Sequence, residues 1–347
     1  MAVFLLFCVG LAGIYSVSLG QETVDFTNFK KQAVFGVIGF AVLLFVAFSN
    51  YSALSVYSRI FYVVTILSLV SVLFWGEVIR GTKGWFSIFG FGVQPVELAK
   101  IALIIVLAKF FSNRLQQFKI DKHIILSLFF VLSMVGPVML QPDLGSSLVL
   151  MATWFILLLL TGIPKKYIVV LLVIFALIMS SAWVFFFEDY QHERIKVFLN
   201  PQLDPLGSGY NVTQSIIAIG SGQLWGRGLG FGSQSQLKFI PESQTDFLFA
   251  VIAEELGLLG VGIVLTLWTI VFYRLIRIAR CARNDFGMFL VLGVTCVLFI
   301  HLLINVGMNM GVMPVTGISL PFLSYGGSFL IVSLTMIGIA QSVAIRK

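Results

Sequence analysis

Gly287-Met-Phe-Leu-Val-Leu-Gly-Val-Thr-Cys-Val-Leu-Phe-Ile-His-Leu-Leu-Ile-Asn-Val-Gly307 decides the fold. The run holds no Asp, Glu, Lys or Arg, and about 20 mostly apolar residues suffice for a helix to cross a bilayer. Comparable runs lie near 1–19, 32–49, 59–76, 95–112, 123–140, 146–163, 167–187, 245–273 and 325–345. Ten such runs predict an all-α polytopic membrane protein, a single integral membrane domain over 1–347. Composition agrees. Charged residues make up 11% of the 347 positions, where a soluble domain carries roughly 25%. Hydrophobic residues reach 59%, with a mean hydropathy of +1.03, which excludes both a soluble globule and a disordered chain. The net charge of +7 is scattered along the sequence and forms no recognition face, so no nucleic-acid partner is expected.

An even number of spans places both termini on one side. Loops on that side hold 13 basic and two acidic residues, against 9 and 13 elsewhere, so the positive-inside rule makes that side cytoplasmic. The run after Met1 has no basic leader and no A-x-A-like site ahead of Gln21, and it is expected to remain as a helix. The cytoplasmic loops are short and carry no Gly-rich phosphate cradle. The opposite side has substantial segments at 77–94, 188–244 and 308–324, with Pro95, Pro142, Pro241, Pro314 and Pro321 at outer helix ends. The longest, the extracytoplasmic loop 188–244 between the seventh and eighth helices, carries a helical signal around Val212–Ile219. It also carries the stretch Gly226-Arg-Gly-Leu-Gly-Phe-Gly232. Chemistry is expected on this outer face. Cys8, Cys281 and Cys296, like His123, His192 and His301, show no metal-ligand spacing.

Ionisable groups inside spans are costly and therefore informative. Glu97 and Lys100, in Gln94-Pro-Val-Glu-Leu-Ala-Lys100, share a helix face and can neutralise each other. They are either a structural ion pair or the polar wall of an outward-facing cavity. Asp143, in Gln141-Pro-Asp-Leu-Gly145, is placed to cap the sixth helix. Asp246 follows Pro241-Glu-Ser-Gln-Thr245, where Ser243 or Thr245 is the expected N-cap of the eighth helix. Asp246, Ala250, Ala253 and Gly257 then form a stripe of small residues below an acid, room for a close helix or a narrow cavity. Glu254 and Glu255 lie deeper and require buried partners. The Gly and Pro density of Asn305-Val-Gly-Met-Asn-Met-Gly311, Pro314-Val-Thr-Gly-Ile-Ser-Leu-Pro321 and Ser324-Tyr-Gly-Gly-Ser328 breaks the helix at membrane depth. Such backbone is tolerated when packed in protein or lining a cavity.

Four segments together resemble the SEDS family, the RodA/FtsW/SpoVE group of bacterial peptidoglycan polymerases. They are Arg80-Gly-Thr-Lys-Gly-Trp85 with Gln94–Lys100; Gln141–Gly145; Tyr210 through Asp246; and Asn305 through Ser328. The loop Gly232–Glu242 is more similar to RodA than to FtsW. Two positions depart from the family's usual pattern, Val96 where Ser is common and Gln244 where His is common. The N-terminal tail common in the family is nearly absent.

The resemblance implies a glycosyltransferase in the bacterial inner membrane, extending glycan strands from lipid II, an undecaprenyl-pyrophosphate disaccharide-peptide, during cell elongation. It implies inversion, with Asp246 as general base. The departing pyrophosphate needs positive charge, from Lys83, Lys100 or Arg194 or from a divalent cation such as Mg or Mn. Trp85, Glu97, Asp143, Gln214, Glu242, Thr245, Asn309 and Ser324 complete the implied substrate-binding set. A class B penicillin-binding protein transpeptidase is the implied partner, with membrane lipids around the chain. A lipid II flippase and a non-catalytic scaffold for that transpeptidase are the competing readings. A flippase would require polar groups continuing toward the cytoplasmic side, and there the spans are nearly uncharged.

Overall fold

A helix occupies each of the ten predicted stretches. The computed structural model describes residues 1–20, 25–79, 82–88, 91–114, 120–185, 189–204 and 207–346. Arg80 and Gly81 of the first family segment lie outside them. In chain order the helices are α1 (Ala2–Leu19), α2 (Thr27–Phe48), α3 (Ser52–Val56), α4 (Ser58–Trp75), α5 (Pro95–Arg114), α6 (Ile120–Met139) and α7 (Leu144–Leu160). They continue with α8 (Lys165–Phe185), α9 (Asp189–Leu199), α10 (Ser208–Ser221), α11 (Ser233–Gln236), α12 (Leu248–Arg280), α13 (Asp285–Asn309) and α14 (Gly327–Ile345). Among the described residues α1, α2, α4, α6, α12, α13 and α14 are long and apolar enough to cross a bilayer. The apolar α7 is shorter, and α5 carries Glu97, Lys100 and Lys109 among its 20 residues.

The centre of the bundle is α13, buried along most of its length between α5, α7, α12 and α14. Its approach to α5 is close because Gly293 has no side chain: a Cβ there would lie 2.6 Å from Ile104. That contact brings polar groups of α5 and α13 within reach of one another. Elsewhere α2 packs along α14, and α1 along α12.

One feature departs from the predicted all-helical reading. Between α4 and α5 the described residues hold a three-stranded antiparallel sheet of β1 (Glu77–Ile79), β2 (Thr82–Ile88) and β3 (Phe91–Val93). Trp85 lies opposite Glu77, and Ser87 opposite Gly92. Two of the strands have three residues, too few to show alternation in the sequence.

The Gly-rich part of the long loop, residues 222–236, is organised around a break in α12. Gly257 has φ 63° and ψ −164°, which interrupts the helix and orphans backbone groups on both sides. The Gly-rich stretch satisfies them. Arg227 N–H donates to the Glu254 carbonyl at 3.0 Å and Gly228 N–H to that of Glu255 at 2.9 Å. In return Leu258 and Leu259 donate to the carbonyls of Gln223 and Leu224, at 2.9 and 3.2 Å. The stripe of small residues serves a close helix: a Cβ at Gly222, just after α10, would fall 1.9 Å from the Ala253 carbonyl. Glu254 and Glu255 are buried on neutral donors. Glu254 accepts the N–H groups of Gln234 (2.8 Å) and Ser235 (3.0 Å), and Glu255 accepts the Ser16 hydroxyl (2.5 Å) and Gly230 N–H (3.3 Å).

Candidate active site

A tight turn delivers Asp246 to the head of α12. Glu242, at φ 54°, offers its carbonyl to the N–H groups of Thr245, Asp246 and Phe247 at 3.1, 3.2 and 3.3 Å. The carbonyls of Gln244, Thr245 and Asp246 are then held by four separate residues. That of Gln244 accepts Tyr325 N–H at 2.8 Å, and that of Thr245 accepts the Ser324 hydroxyl. That of Asp246 accepts the amides of both Asn305 and Asn309 at 3.0 Å. Gln244 is itself fixed, accepting from Asn28 at 2.7 Å and donating to Ser18 at 3.4 Å. The backbone around Asp246 is therefore immobilised on α1, α2, α13 and the segment before α14. Its half-buried carboxylate lies beside exposed Gly317, where a Cβ would come 3.7 Å from Oδ2.

The predicted N-cap is corrected here. Neither Ser243 nor Thr245 caps α12, which starts at Leu248 without a side-chain cap from its own strand of sequence. Thr245 donates instead to the Glu242 carboxylate at 2.9 Å. The first-turn N–H of Ala250 is satisfied across the bundle by Asn309 Oδ1 at 3.2 Å. Buried packing brings a better-placed acceptor than the local residues provide.

A second polar cluster lies deeper, where α5 meets α13. Lys100 Nζ donates to Glu97 Oε1 at 2.8 Å, with both residues buried, so the predicted pair forms. Lys100 also lies 3.1 Å from His301 Nε2 and 5.5 Å from the centre of the Phe329 ring. An ammonium only donates, so Nε2 is the acceptor and the imidazole is neutral with its proton on Nδ1. That proton faces the Ser319 carbonyl at 3.3 Å, and the ring stacks on Phe329 at 5.0 Å. Glu97 Oε2 is buried without a hydrogen-bond partner among the described residues. Sequence reasoning missed His301. The available signal was His301, Asn305 and Asn309 at four-residue intervals, one polar stripe on the face of an otherwise apolar helix.

The segment 316–320 joins the two clusters: Gly317 flanks Asp246, the Ile318 carbonyl accepts Asn305 at 2.8 Å, and Ser319 meets His301. The same segment touches the start of α7, where a Cβ at Gly145 would lie 2.7 Å from the Thr316 carbonyl. Asp143 caps α7 as predicted, accepting Ser146 N–H at 2.9 Å, and it also accepts Gln94 at 3.3 Å.

The remaining predicted residues are distributed as follows. Asn309, Ser324 and Thr245 are buried and spend their polar atoms on the frame around Asp246; Glu242 is exposed at the turn. Half-buried Gln214 lies on α10 beside Ser215, whose hydroxyl donates to the Asn309 carbonyl at 2.8 Å. Arg194 lines a crevice with Val197, Val212, Ile216, Pro314 and Val315. Val315 in turn packs on the small core containing Phe247. Lys83 and Trp85 flank Gly84 on β2. Gly84 faces Gln141 and Gln94, so strand alternation turns Lys83 and Trp85 to the other face.

The chain as a whole is similar to known proteins. The family described as cell cycle protein, that of FtsW, RodA and SpoVE, matches residues 1–347. Peptidoglycan glycosyltransferase MrdB of Escherichia coli K12 is 40% identical over 283 residues, 81% of this chain and 76% of that protein. One solved chain comes from work on the structural coordination of polymerization and crosslinking by a peptidoglycan synthase complex. It superposes with a TM-score of 0.82 at 30% identity, covering 99% of this chain and 97% of that one. The Thermus thermophilus rod shape determining protein RodA superposes with a TM-score of 0.73 at 26% identity, covering 99% and 94%.

Proposed function

The chain belongs to the FtsW, RodA and SpoVE family of cell cycle proteins and is a peptidoglycan glycosyltransferase, and from that premise we propose that Asp246 is its general base. One observation carries the assignment. The three carbonyls from Gln244 to Asp246 are pinned by Tyr325, Ser324, Asn305 and Asn309, while Asp246 itself is only partly buried, its Oδ1 enclosed and its Oδ2 facing exposed Gly317. Such a frame positions one acid at an accessible edge, and positioning is what general-base catalysis requires.

In this reading lipid II and the growing strand meet at the outer face of the bacterial inner membrane, with both termini cytoplasmic. Asp246 takes the proton of the acceptor 4-hydroxyl as that oxygen bonds to the donor's anomeric carbon. The bond from that carbon to the undecaprenyl pyrophosphate breaks, the electron pair leaves with the pyrophosphate, and the carbon inverts. Positive charge is needed beside the leaving group. Lys100 is enclosed by Glu97 and His301, whereas the Arg194 crevice opens along Pro314 and Val315, so Arg194 is the preferred cation. No group of three or more His, Cys, Asp or Glu residues able to hold a metal exists among the described residues. A hard cation held largely by substrate phosphates needs only one or two carboxylates; Glu242, exposed at the turn, would help to hold it, and it would neutralise pyrophosphate charge. The chain works beside a class B penicillin-binding protein transpeptidase.

Polymerisation of labelled lipid II by the purified protein, with and without that transpeptidase, tests the assignment. Asp246→Asn is expected to lower the rate by about 10²–10⁴-fold with thermal stability unchanged, because the carboxylate caps no helix. Wild-type rates in Asp246→Ala overturn it.

A further inference from the structure

The helix ends opposite the Asp246 face enclose a second cavity that the polymerase reading does not use. It measures about 480 Å³ and is lined by Asn50, Tyr51, Ser52, Arg283, Asn284 and Arg346. Three segments meet there: the turn after α2, the turn between α12 and α13, and the end of α14. All three fall on the side that the basic residues mark as inner.

Hydrogen bonds already made fix what this lining offers. Asn50 Oδ1 accepts Ser52 N–H at 2.9 Å. Asn284 Oδ1 accepts Gly287 N–H at 2.8 Å and the Tyr51 hydroxyl at 3.3 Å. Both amides turn their oxygens to backbone N–H groups and have NH₂ groups to offer. Arg346 lays its guanidinium on the C-terminal carbonyls of α2, Ala47 at 3.3 Å and also Phe48, and on the Ser342 hydroxyl at 3.1 Å. Arg283 is exposed and makes no hydrogen bond among the described residues. Among the described residues no carboxylate lines the cavity; Asp285, two residues on from Arg283, is not part of its wall. The N-terminus of α13 adds partial positive charge. The result is a half-open pocket of donors and two guanidinium groups, with no acid among the described lining residues to neutralise them, the complement of a phosphate ester. Phe45, Phe48 and Val56, which flank the turn after α2, are exposed by 75%, 72% and 71%, as residues facing acyl chains are.

We propose that this cavity binds the phosphate of an anionic lipid from the inner leaflet. Basic pockets between helix ends on that side suit such headgroups, and the apolar flank favours a lipid over a soluble phosphate.

The test uses the full-length protein in detergent with 0.5 M NaCl, where screening at about 4 Å removes longer-range attraction. Short-chain phosphatidylglycerol, short-chain phosphatidylcholine and inorganic phosphate are titrated separately, with binding and the shift in Tm as readouts. Phosphatidylglycerol is expected to bind at least about tenfold more tightly than either of the others. Arg283→Gln is expected to weaken it about tenfold, the scale of one lost charged hydrogen bond. Arg274→Gln, the same charge change on exposed helix surface outside the cavity, is expected to stay within about twofold. Equal binding of the two lipids, equal losses in the two variants, or full binding by Arg283→Gln overturns the site. Inorganic phosphate reproducing the whole effect overturns the lipid as the ligand.

Discussion

Among single residues, the buried trio of Glu97, Lys100 and His301 makes the sharpest energetic statement. Lys100 Nζ lies 2.8 Å from Glu97 and 3.1 Å from His301, so removing Glu97 or Lys100 leaves the other's charge uncompensated in a buried site. Glu97→Leu or Lys100→Met alone is expected to cost about 3–5 kcal/mol, and the double variant less than either. His301→Phe removes the acceptor from Lys100 and the donor from the Ser319 carbonyl, and about 1–3 kcal/mol is expected. Thermal unfolding of the four proteins checks this, and additive losses would show that the groups are not coupled. Restored folding without restored polymerisation in the Glu97→Leu, Lys100→Met double variant would give the pair a role toward substrate. Gln244 illustrates how substitution reshapes a site: it holds Asn28 and Ser18 as a strut, and its backbone carbonyl anchors Tyr325.

At the scale of elements, the broken α12 and the Gly-rich loop form one unit, since each satisfies the other's backbone. Gly226 and Gly228 separate the causes of its stability. Both have positive φ, 79° and 96°, so alanine strains either by about 1–2 kcal/mol. A Cβ at Gly226 would also lie 2.1 Å from the Glu255 carbonyl, whereas at Gly228 the nearest neighbour is the Phe231 ring at 3.3 Å. Gly226→Ala is therefore expected to destabilise the protein clearly more than Gly228→Ala, with proteolysis appearing first in the loop. Comparable melting temperatures would mean that docking of the loop on the kink contributes little. The helix signal around Val212–Ile219 belongs to α10, which supports Asn309 through Ser215 and so connects this unit to the Asp246 frame.

Across the whole molecule, the loop presents apolar side chains beside lipid-facing helix surface. Trp225 is 80% exposed and Phe231 76%, with Leu224 and Leu229 between and beside them, while Leu258 and Leu259 are exposed on the adjoining turn of α12. A patch of this kind marks a membrane or partner contact. Because the loop is anchored through its backbone, its side chains are available to a partner, here the transpeptidase proposed above. Replacing Trp225 and Phe231 together by Glu is expected to abolish co-purification with that partner while basal polymerisation survives. Loss of activity and stability with binding retained would instead identify the aromatics as interfacial anchors, a common place for Trp.

Helix positions, the cap at Asp143 and the Glu97–Lys100 pair were determined by the sequence alone, for a common reason. In lipid a helix satisfies its backbone within itself, so local apolar composition suffices to place it, and the cap and the pair each join residues three apart. Tertiary structure decided the rest. Asn309 reaches Asp246 across 63 positions, His301 reaches Lys100 across 201, and Ser16 reaches Glu255 across 239. No local pattern specifies such partners, because an amide, an imidazole or a hydroxyl accepts many. Burial against a particular neighbour, set by how α1, α5, α12 and α13 pack, selects which one each finds.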